Sequence, residues 1–242
     1  MVVYADAPVE LYADMIRRGV SFAQANCGDG EWSCILGRSG RNVNGEVYTP
    51  ELAAALAETL VDHRGIWCGS NPGRKLEAQV DAWIERTKAS PRWVWKETLS
   101  GANVDGKLAP VFQALRRQHV ILVGPDHLHT LPASVVGHRA FIQVPYAIAW
   151  KVADDVTRWV GELLYPLAGP GNGWIPVVLF AAGMGSNLMI HRLWKLWGGQ
   201  AILLDVGAIL DPYVGHWSRK GYRKQTFHEH SMAANLPPEP GT

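Results

Sequence analysis

The sequence predicts a single α/β domain in which helices cover both faces of a mostly parallel β-sheet. Three observations lead to this fold class. Apolar segments of strand length alternate with amphipathic helices, several of these segments are apolar throughout, and no internal repeat or linker interrupts the alternation. Strands that are apolar at every position are buried on both faces, as in a parallel sheet between two helical layers.

The first half of the chain contains two clear helices. Residues 9–18 carry an apolar stripe at helical spacing, and Gly19 is a natural end point. Residues 49–63 form the stronger pattern, because Thr49 can cap the helix and Pro50 fits its first turn. The other elements predicted in this half are strands at 20–25, 65–70 and 92–97 and helices at 73–88 and 107–117.

The second half is more regular. Its predicted elements are strands at 119–124, 140–145, 174–183 and 200–207, helices at 147–167 and 186–198, and a turn at 169–173. The apolar stripe predicted for the long helix consists of Ile148, Val152, Val156, Trp159 and Leu163. Residues 1–234 are therefore expected to form one Rossmann-like three-layer α/β/α domain, and residues 235–242 a flexible C-terminal tail.

Composition narrows the class of protein. The chain has 242 residues, of which 48% are hydrophobic, and its 23 basic residues nearly balance 22 acidic ones. This composition gives no indication of global disorder or of a polyelectrolyte as the protein's partner. The N-terminus lacks the pattern of a signal peptide, no uncharged run is long enough to span a membrane, and Cys27, Cys34 and Cys68 match no zinc spacing. We therefore expect a cytoplasmic enzyme with reduced thiols.

An acidic pair between glycines is the first candidate site. Asp29 and Glu31 follow a predicted strand and alternate with Gly28 and Gly30. In extended chain, residues i and i+2 point the same way, so both carboxylates could face one ion. Hard oxygen ligands suit Mg²⁺ or Mn²⁺ completed by phosphate oxygens and water. The alternative is an acidic surface turn.

A glycine-rich strand–turn–helix is the second candidate. The buried strand before Gly183 leads into a helix that begins near Gly185, Ser186 and Asn187. Free N–H groups at such a helix start can bind a phosphate, and glycine lets a diphosphate approach the backbone. The alternative is a tight turn whose glycines serve packing only.

Polar residues at two further strand ends complete the candidate set. Asp205 ends the last predicted strand and Asp211 follows six residues later, so either could face the same crevice. An Asx-turn is the alternative for such an aspartate. Asp126, His127 and His129 follow another strand, and one of them could serve as a base, although a histidine on a loop is more often simply solvated.

Taken in order, these segments resemble the GT-D-type glycosyltransferases. The resemblance rests on Gly28-Asp29-Gly30-Glu31, Val123-Gly124 in mid-chain, the glycine-rich segment at 179–197 and Asp205-Val206-Gly207, and it covers about residues 9–215. It implies that Asp29 and Glu31 bind Mn²⁺ or Mg²⁺, which bridges the diphosphate of a nucleotide sugar, most simply a UDP-sugar. An acceptor hydroxyl, on a glycan, a glycoprotein or a hydroxylated DNA base, then attacks the anomeric carbon. The residues expected to contact the donor are Gly28, Gly30, Gly183, Gly185, Ser186, Asn187 and Asp205.

Two other classes of protein remain open. A methyltransferase or dehydrogenase of the same architecture would use Gly183-Met184-Gly185 as its cofactor loop, but it would leave Asp29 and Glu31 without a role. A nucleic-acid-binding module is suggested by the C-terminal run, in which basic residues alternate with aromatic ones; a solvated basic segment is the plainer interpretation. The basic residues expected to face DNA are Arg219, Lys220, Arg223 and Lys224.

Overall fold

Seven parallel strands form one sheet at the centre of the protein. A computed structural model describes residues 3–167 and 175–236, and its sheet has the order β3-β2-β1-β7-β6-β4-β5. The strands are β1 (Ala23–Gly28), β2 (Trp67–Asn71), β3 (Arg92–Trp95), β4 (Val120–Gly124), β5 (His138–Gln143), β6 (Val177–Phe180) and β7 (Ile202–Asp205). Every strand pairing is parallel. The predicted α/β class and the parallel sheet are confirmed, whereas the predicted turn at 169–173 falls on residues outside the described part.

Helices surround this sheet. They are α1 (Val9–Arg18), α2 (Asp29–Ile35), α3 (Pro50–Val61), α4 (Glu77–Thr87), α5 (Glu97–Val104), α6 (Ala109–Leu115), α7 (Ala133–Val136), α8 (Ala153–Leu164), α9 (Gly185–Trp197) and α10 (Met232–Asn235). Short 3₁₀ segments lie at Asp126–Thr130, Ala149–Val152, Asp211–Val214 and Gly221–Arg223, and a π-helical turn at Phe227–Ser231. Within the described ranges, no helix is long and apolar enough to cross a membrane.

The core lies on the two faces of the sheet, and strand residues alternate between them. In β6, Val177 and Leu179 join the cluster that packs against α1 and α6, whereas Val178 and Phe180 join the cluster under α3, α8 and α9. This alternation explains why β6 is apolar at every position, since neither of its faces meets water. A smaller cluster around Trp32 covers the part of the sheet formed by β1, β2 and β3.

Two local predictions about helices are confirmed closely. Helix α1 spans the predicted residues and ends at Gly19, whose φ of 63° is the left-handed conformation that glycine adopts without strain. Helix α3 begins at Pro50, and Thr49 accepts a hydrogen bond of 3.2 Å from the Leu52 N–H.

The long helix predicted at 147–167 is different. A 3₁₀ segment precedes α8, which starts only at Ala153. Ile148 lies before α8 and is 46% exposed, whereas Trp159 and Leu163 lie off the buried face of α8 and are 41% and 38% exposed, so most of the predicted stripe is wrong. The residues that α8 buries instead are Ala153, Val156, Thr157, Val160 and Leu164.

The chain after β7 folds back over the carboxyl ends of the strands and is fixed there by Asn235. Asn235 is fully buried; it accepts a hydrogen bond from the Leu108 N–H (2.7 Å) and donates to the Asn103 carbonyl (2.7 Å). The Tyr213 hydroxyl joins the network by donating to Asn103 Oδ1. Asn235, which the sequence assigned to a flexible tail, therefore packs in the domain, and residues 237–242 lie outside the described part.

Candidate functional site

A cleft of about 630 Å³ opens at the carboxyl edge of the sheet. Strands β1 and β7 are neighbours, but the chain leaves them toward opposite sides, and such a topological switch point is where α/β sheets bind ligands. The walls come from the ends of β1, β3, β4, β6 and β7, from the loop at 41–48 and from the C-terminal segment. The charged residues of the lining are Asp29, Glu31, Arg41, Lys96, Glu97, Asp105, Asp205, Asp211 and Arg219, with His127 beside them.

Asp29 and Glu31 line this cleft from the first turn of α2. The extended conformation predicted for them is wrong, because helix α2 starts directly at Asp29. Glu31 Oε2 accepts a 2.8 Å hydrogen bond from the Gly28 N–H, so this carboxylate satisfies an N–H group that the helix start leaves free. Residues i and i+2 of a helix do not face each other, so the pair does not present two parallel carboxylates to one ion.

Asp205 lies at the end of β7, next to the end of β1. Its side chain is 5% exposed and accepts hydrogen bonds from the Gly207 N–H (2.9 Å) and from the Asn26 N–H (3.2 Å). Burial raises the pKa of Asp205 to about 7, against the opposing effect of the Gly207 N–H; Glu31 raises it further, and Lys96 lowers it. Asp205 can therefore exchange a proton near neutral pH.

Lys96 projects its ammonium group into the same acidic end of the cleft. A Cβ atom on Gly28 would lie 2.2 Å from Lys96 Nζ and 3.2 Å from Glu31 Oε2, so the lysine uses the space that the glycine leaves free. Burial lowers the pKa of Lys96, but the carboxylates of Glu31, Glu97 and Asp205 outweigh it and raise the pKa overall. The cleft thus carries a resident cation beside Asp29 and Glu31.

The glycine-rich turn at the start of α9 packs against the protein itself. A Cβ on Gly185 would lie 2.8 Å from the Trp150 N atom, and one on Gly183 would lie 2.5 Å from Glu46 Oε2. Ser186 and Asn187 are buried: Ser186 Oγ accepts from the Ala182 N–H, and Asn187 donates to the Asn26 carbonyl. Of the residues predicted to hold a phosphate here, Gly183 alone is among the described residues that line the cleft.

Glu46 takes the place of an anion at this turn. Its Oε2 accepts hydrogen bonds from the Met184 N–H (3.0 Å) and from Asn42 Nδ2 (2.6 Å), while its Oε1 is buried and has no hydrogen-bond partner among the residues that the structure describes. Burial raises the pKa of Glu46, and the Met184 N–H opposes that rise. A dinucleotide phosphate at Gly183-Met184-Gly185 would have to displace this carboxylate, which weighs against the dehydrogenase alternative.

His127, Asp211 and His216 meet at another part of the cleft. Their potential ligand atoms lie within 4.8 Å of one another, so the group could hold a metal ion. His127 Nε2 lies 3.0 Å from Asp211 Oδ1, and the rings of His127 and His216 stack with centroids 4.2 Å apart. Across residues 3–167 and 175–236, no other group of three or more such side chains is as close, so Asp29, Glu31 and Asp205 do not form one.

The basic C-terminal run is divided between the cleft and the surface. Arg219 lines the cleft, whereas Lys220, Arg223 and Lys224 are exposed. Of the aromatic residues between them, Tyr222 and Phe227 are 2% and 1% exposed and belong to the core. Trp217 is half-buried and packs against His228. Of the predicted alternation of basic and base-stacking residues, the basic residues are therefore available for binding, whereas Tyr222 and Phe227 are not.

Sequence reasoning missed Lys96, Glu46 and His216. Lys96 had a usable signal, because it lies near the carboxyl end of the strand predicted at 92–97 and therefore close to the ligand-binding edge. Glu46 and His216 lie in loops without periodicity, and only the tertiary fold brings them to Met184 and His127. Comparison with protein-family models, with curated proteins and with solved structures gives no significant match.

Proposed function

We propose that this protein is a metal-dependent glycosyltransferase that moves a sugar from a nucleotide-sugar donor, most simply a UDP-sugar, to an acceptor hydroxyl, with Mn²⁺ or Mg²⁺ as its metal. The observation that carries this proposal is the cleft at the sheet's carboxyl edge, where Asp29, Glu31 and Asp205 lie beside Lys96. Its volume of about 630 Å³ falls within the range of small-molecule sites, about 300–1,000 Å³.

The charges of the cleft support a diphosphate donor. Carboxylates outnumber cations in the lining, so a diphosphate requires positive charge close to it. Lys96 supplies such a charge next to Asp29 and Glu31, and Arg219 supplies another near Asp211. As the bond to the sugar breaks, negative charge develops on the leaving diphosphate, and fixed cations stabilise it most when water is excluded.

The residues of the acidic end suggest roles in binding and proton transfer. Asp29 is suited to hydrogen-bonding the hydroxyls of the donor, since its carboxylate bonds only the adjacent Gly30 N–H among the described contacts. Asp205, whose pKa is about 7, is suited to accept the proton that the acceptor hydroxyl loses. A divalent metal, when bound, would add Lewis-acid stabilisation of the phosphate oxygens. Because Lys96 lies beside Asp29 and Glu31, these two carboxylates alone do not complete a site for such an ion, and phosphate oxygens of the donor and water would have to supply the other ligands.

Calorimetric titration with UDP-sugars tests this proposal. The wild-type protein is expected to bind a UDP-sugar with added Mn²⁺ and to bind it much more weakly after chelation. Lys96→Met is expected to weaken donor binding, because it keeps much of the side-chain length and removes the charge. Asp29→Asn and Glu31→Gln should abolish transfer while the thermal unfolding curve stays close to that of the wild type.

The matched control is Glu162→Gln, which changes an exposed carboxylate on α8. It should leave donor binding and transfer unchanged. A wild-type protein that binds no nucleotide sugar with or without metal would refute the proposal. Normal transfer by both Asp29→Asn and Glu31→Gln would remove the acidic pair from the reaction.

DNA is a second candidate acceptor, supported by the exposed Lys220, Arg223 and Lys224 next to the cleft residue Arg219. Changing the three exposed residues to Gln spares the cleft, whereas changing Arg219 would not. If DNA is the acceptor, the triple variant should bind duplex DNA more weakly than the wild type. The slope of log binding constant against log salt concentration should become shallower by about 0.9 for each phosphate contact that is lost. Donor hydrolysis without acceptor should persist. A wild-type protein without salt-sensitive affinity for DNA would leave the glycan acceptor as the proposal.

A further inference from the structure

The group of His127, Asp211 and His216 lies apart from the acidic end of the cleft and joins two segments that are far apart in sequence. His127 belongs to the 3₁₀ segment after β4, and Asp211 and His216 belong to the segment after β7. We infer that these three residues form a binding site for a divalent transition metal, with two imidazole ligands and one carboxylate ligand. The inference concerns metal binding alone and holds whether or not the reaction is glycosyl transfer.

The ligands from the C-terminal segment are positioned by their own turn. The 3₁₀ segment begins at Asp211, and Gly215, with φ of 74°, reverses the chain so that the His216 N–H donates to the Asp211 carbonyl at 3.0 Å. The two side chains are thereby held on the same side of a short loop. Only His127 must be brought from another element, and it lies 3.0 Å from Asp211 Oδ1.

A second layer of contacts orients the carboxylate. The Ser218 hydroxyl donates to Asp211 Oδ2, which leaves Oδ1 directed toward His127. The side chains of Asp211 and His127 are 8% and 24% exposed, so the pair is largely screened from bulk water. Metal-binding carboxylates in proteins are commonly oriented by such outer hydrogen bonds, and their loss costs about 10- to 100-fold in affinity.

The ligand types select the kind of ion. Imidazole suits Zn²⁺, Fe²⁺, Co²⁺ and related ions, whereas Mg²⁺ and Ca²⁺ prefer oxygen ligands. Three protein ligands leave positions open for water or substrate, which is the pattern of catalytic rather than structural metal sites. Because His127 and Asp211 line the cleft, the open positions would face its interior. The site therefore favours a first-row transition metal over Mg²⁺.

Titration of the full chain with Co²⁺ tests this inference. After chelation and removal of the chelator, Co²⁺ is added and its visible absorption is followed; Zn²⁺ is then added in competition. The wild-type protein should show one high-affinity Co²⁺ site that Zn²⁺ empties and that excess Mg²⁺ does not. His216→Gln and Asp211→Asn should each weaken Co²⁺ binding by at least about ten-fold, and Ser218→Ala by about 10-fold.

Two controls separate this site from other sources of binding. His129→Gln removes an exposed histidine from the same 3₁₀ segment as His127, and Asp29→Asn removes a carboxylate from the acidic end. Both should bind Co²⁺ as the wild type does. Because Asp211 is buried, its variant could lose stability, but His216 lies on a partly exposed turn, and its variant should keep the wild-type melting temperature.

The inference is overturned if the wild-type protein has no saturable Co²⁺ site, or if folded His216→Gln binds Co²⁺ normally while Asp29→Asn does not. Binding of UDP-sugars is measured separately on the same preparations. A protein that binds Co²⁺ through His216 but binds no nucleotide sugar would sustain the metal site and refute the glycosyltransferase. A protein that binds a nucleotide sugar but has no Co²⁺ site that depends on His216 would support the glycosyltransferase and refute the metal site.

Discussion

Replacing Gly185 by alanine decides between a packing role and a phosphate-binding role for the turn before α9. An added Cβ would lie 2.8 Å from the Trp150 N atom, 2.9 Å from the Ala149 carbonyl carbon and 3.0 Å from the Ala149 Cβ. Two of these atoms are backbone and cannot rotate away, so the 3₁₀ segment that carries them must shift. Overpacking of this kind costs about 1–3 kcal/mol. For a domain of this size each kcal/mol lowers the melting temperature by about 2–4 °C.

Thermal and urea unfolding of Gly185→Ala measure this cost, with Gly161→Ala as the matched control. Gly161 lies in α8, and its added Cβ would approach no atom closer than 3.5 Å, the distance to Trp197 Nε1. The control should therefore be stabilised by about 0.5–1 kcal/mol, the usual gain from replacing a helical glycine. If Gly185→Ala melts at the wild-type temperature but binds the UDP-sugar poorly, the packing argument is refuted and the turn becomes a phosphate site.

Further outcomes follow from buried polar groups. Asn235→Ala should reduce the free energy of unfolding, measured by urea titration, by about 1–3 kcal/mol or more. The reason is that the Leu108 N–H and the Asn103 carbonyl stay buried but lose their hydrogen-bond partner. A loss near zero would contradict this. Asp205 keeps its proton up to about pH 7 in the folded chain but loses it near pH 4 when unfolded, so folding takes up a proton between these values. The free energy of unfolding should fall as pH rises through this window, and Asp205→Asn should flatten that decline; identical pH profiles would refute the raised pKa.

The sequence is most informative where structure depends on neighbouring residues. Thr49 and Pro50 start α3, and Gly19 ends α1, because caps and turn residues act within a few positions. The apolar stripe of α8 could not be read correctly, since Trp159 and Leu163 also match helical spacing from Val156, whereas the buried face carries Val160 and Leu164 instead. The conformation of Asp29 was misjudged for a related reason: the helix begins one residue after the strand ends, without the loop that the glycines suggested.

The candidate site could be predicted at its strand ends and not beyond them. Asp205 lies near the end of one predicted strand and His127 lies three residues after another, so the edge of the sheet that they share follows from the parallel arrangement alone. Lys96 obeys the same rule. His216 and Glu46 do not, because each reaches the cleft through a loop whose path depends on tertiary packing.

The order of the strands gives the cleft two chemically different ends. Strands β1 and β7 are neighbours, and they bring Asp29, Glu31 and Asp205 to one end, where Lys96 offsets part of their charge. The segment that follows β4 and the segment that follows β7 form the other end of the cleft, where His127 contacts Asp211. The segment that supplies Asp211, His216 and Arg219 is held by Asn235, which bonds Asn103 of α5 and the Leu108 N–H. Loosening that anchor by Asn235→Ala should therefore weaken Co²⁺ binding more than it weakens binding at the acidic end, because Asp211 and His216 belong to the C-terminal segment itself, whereas Asp29, Glu31 and Asp205 lie at the ends of β1 and β7.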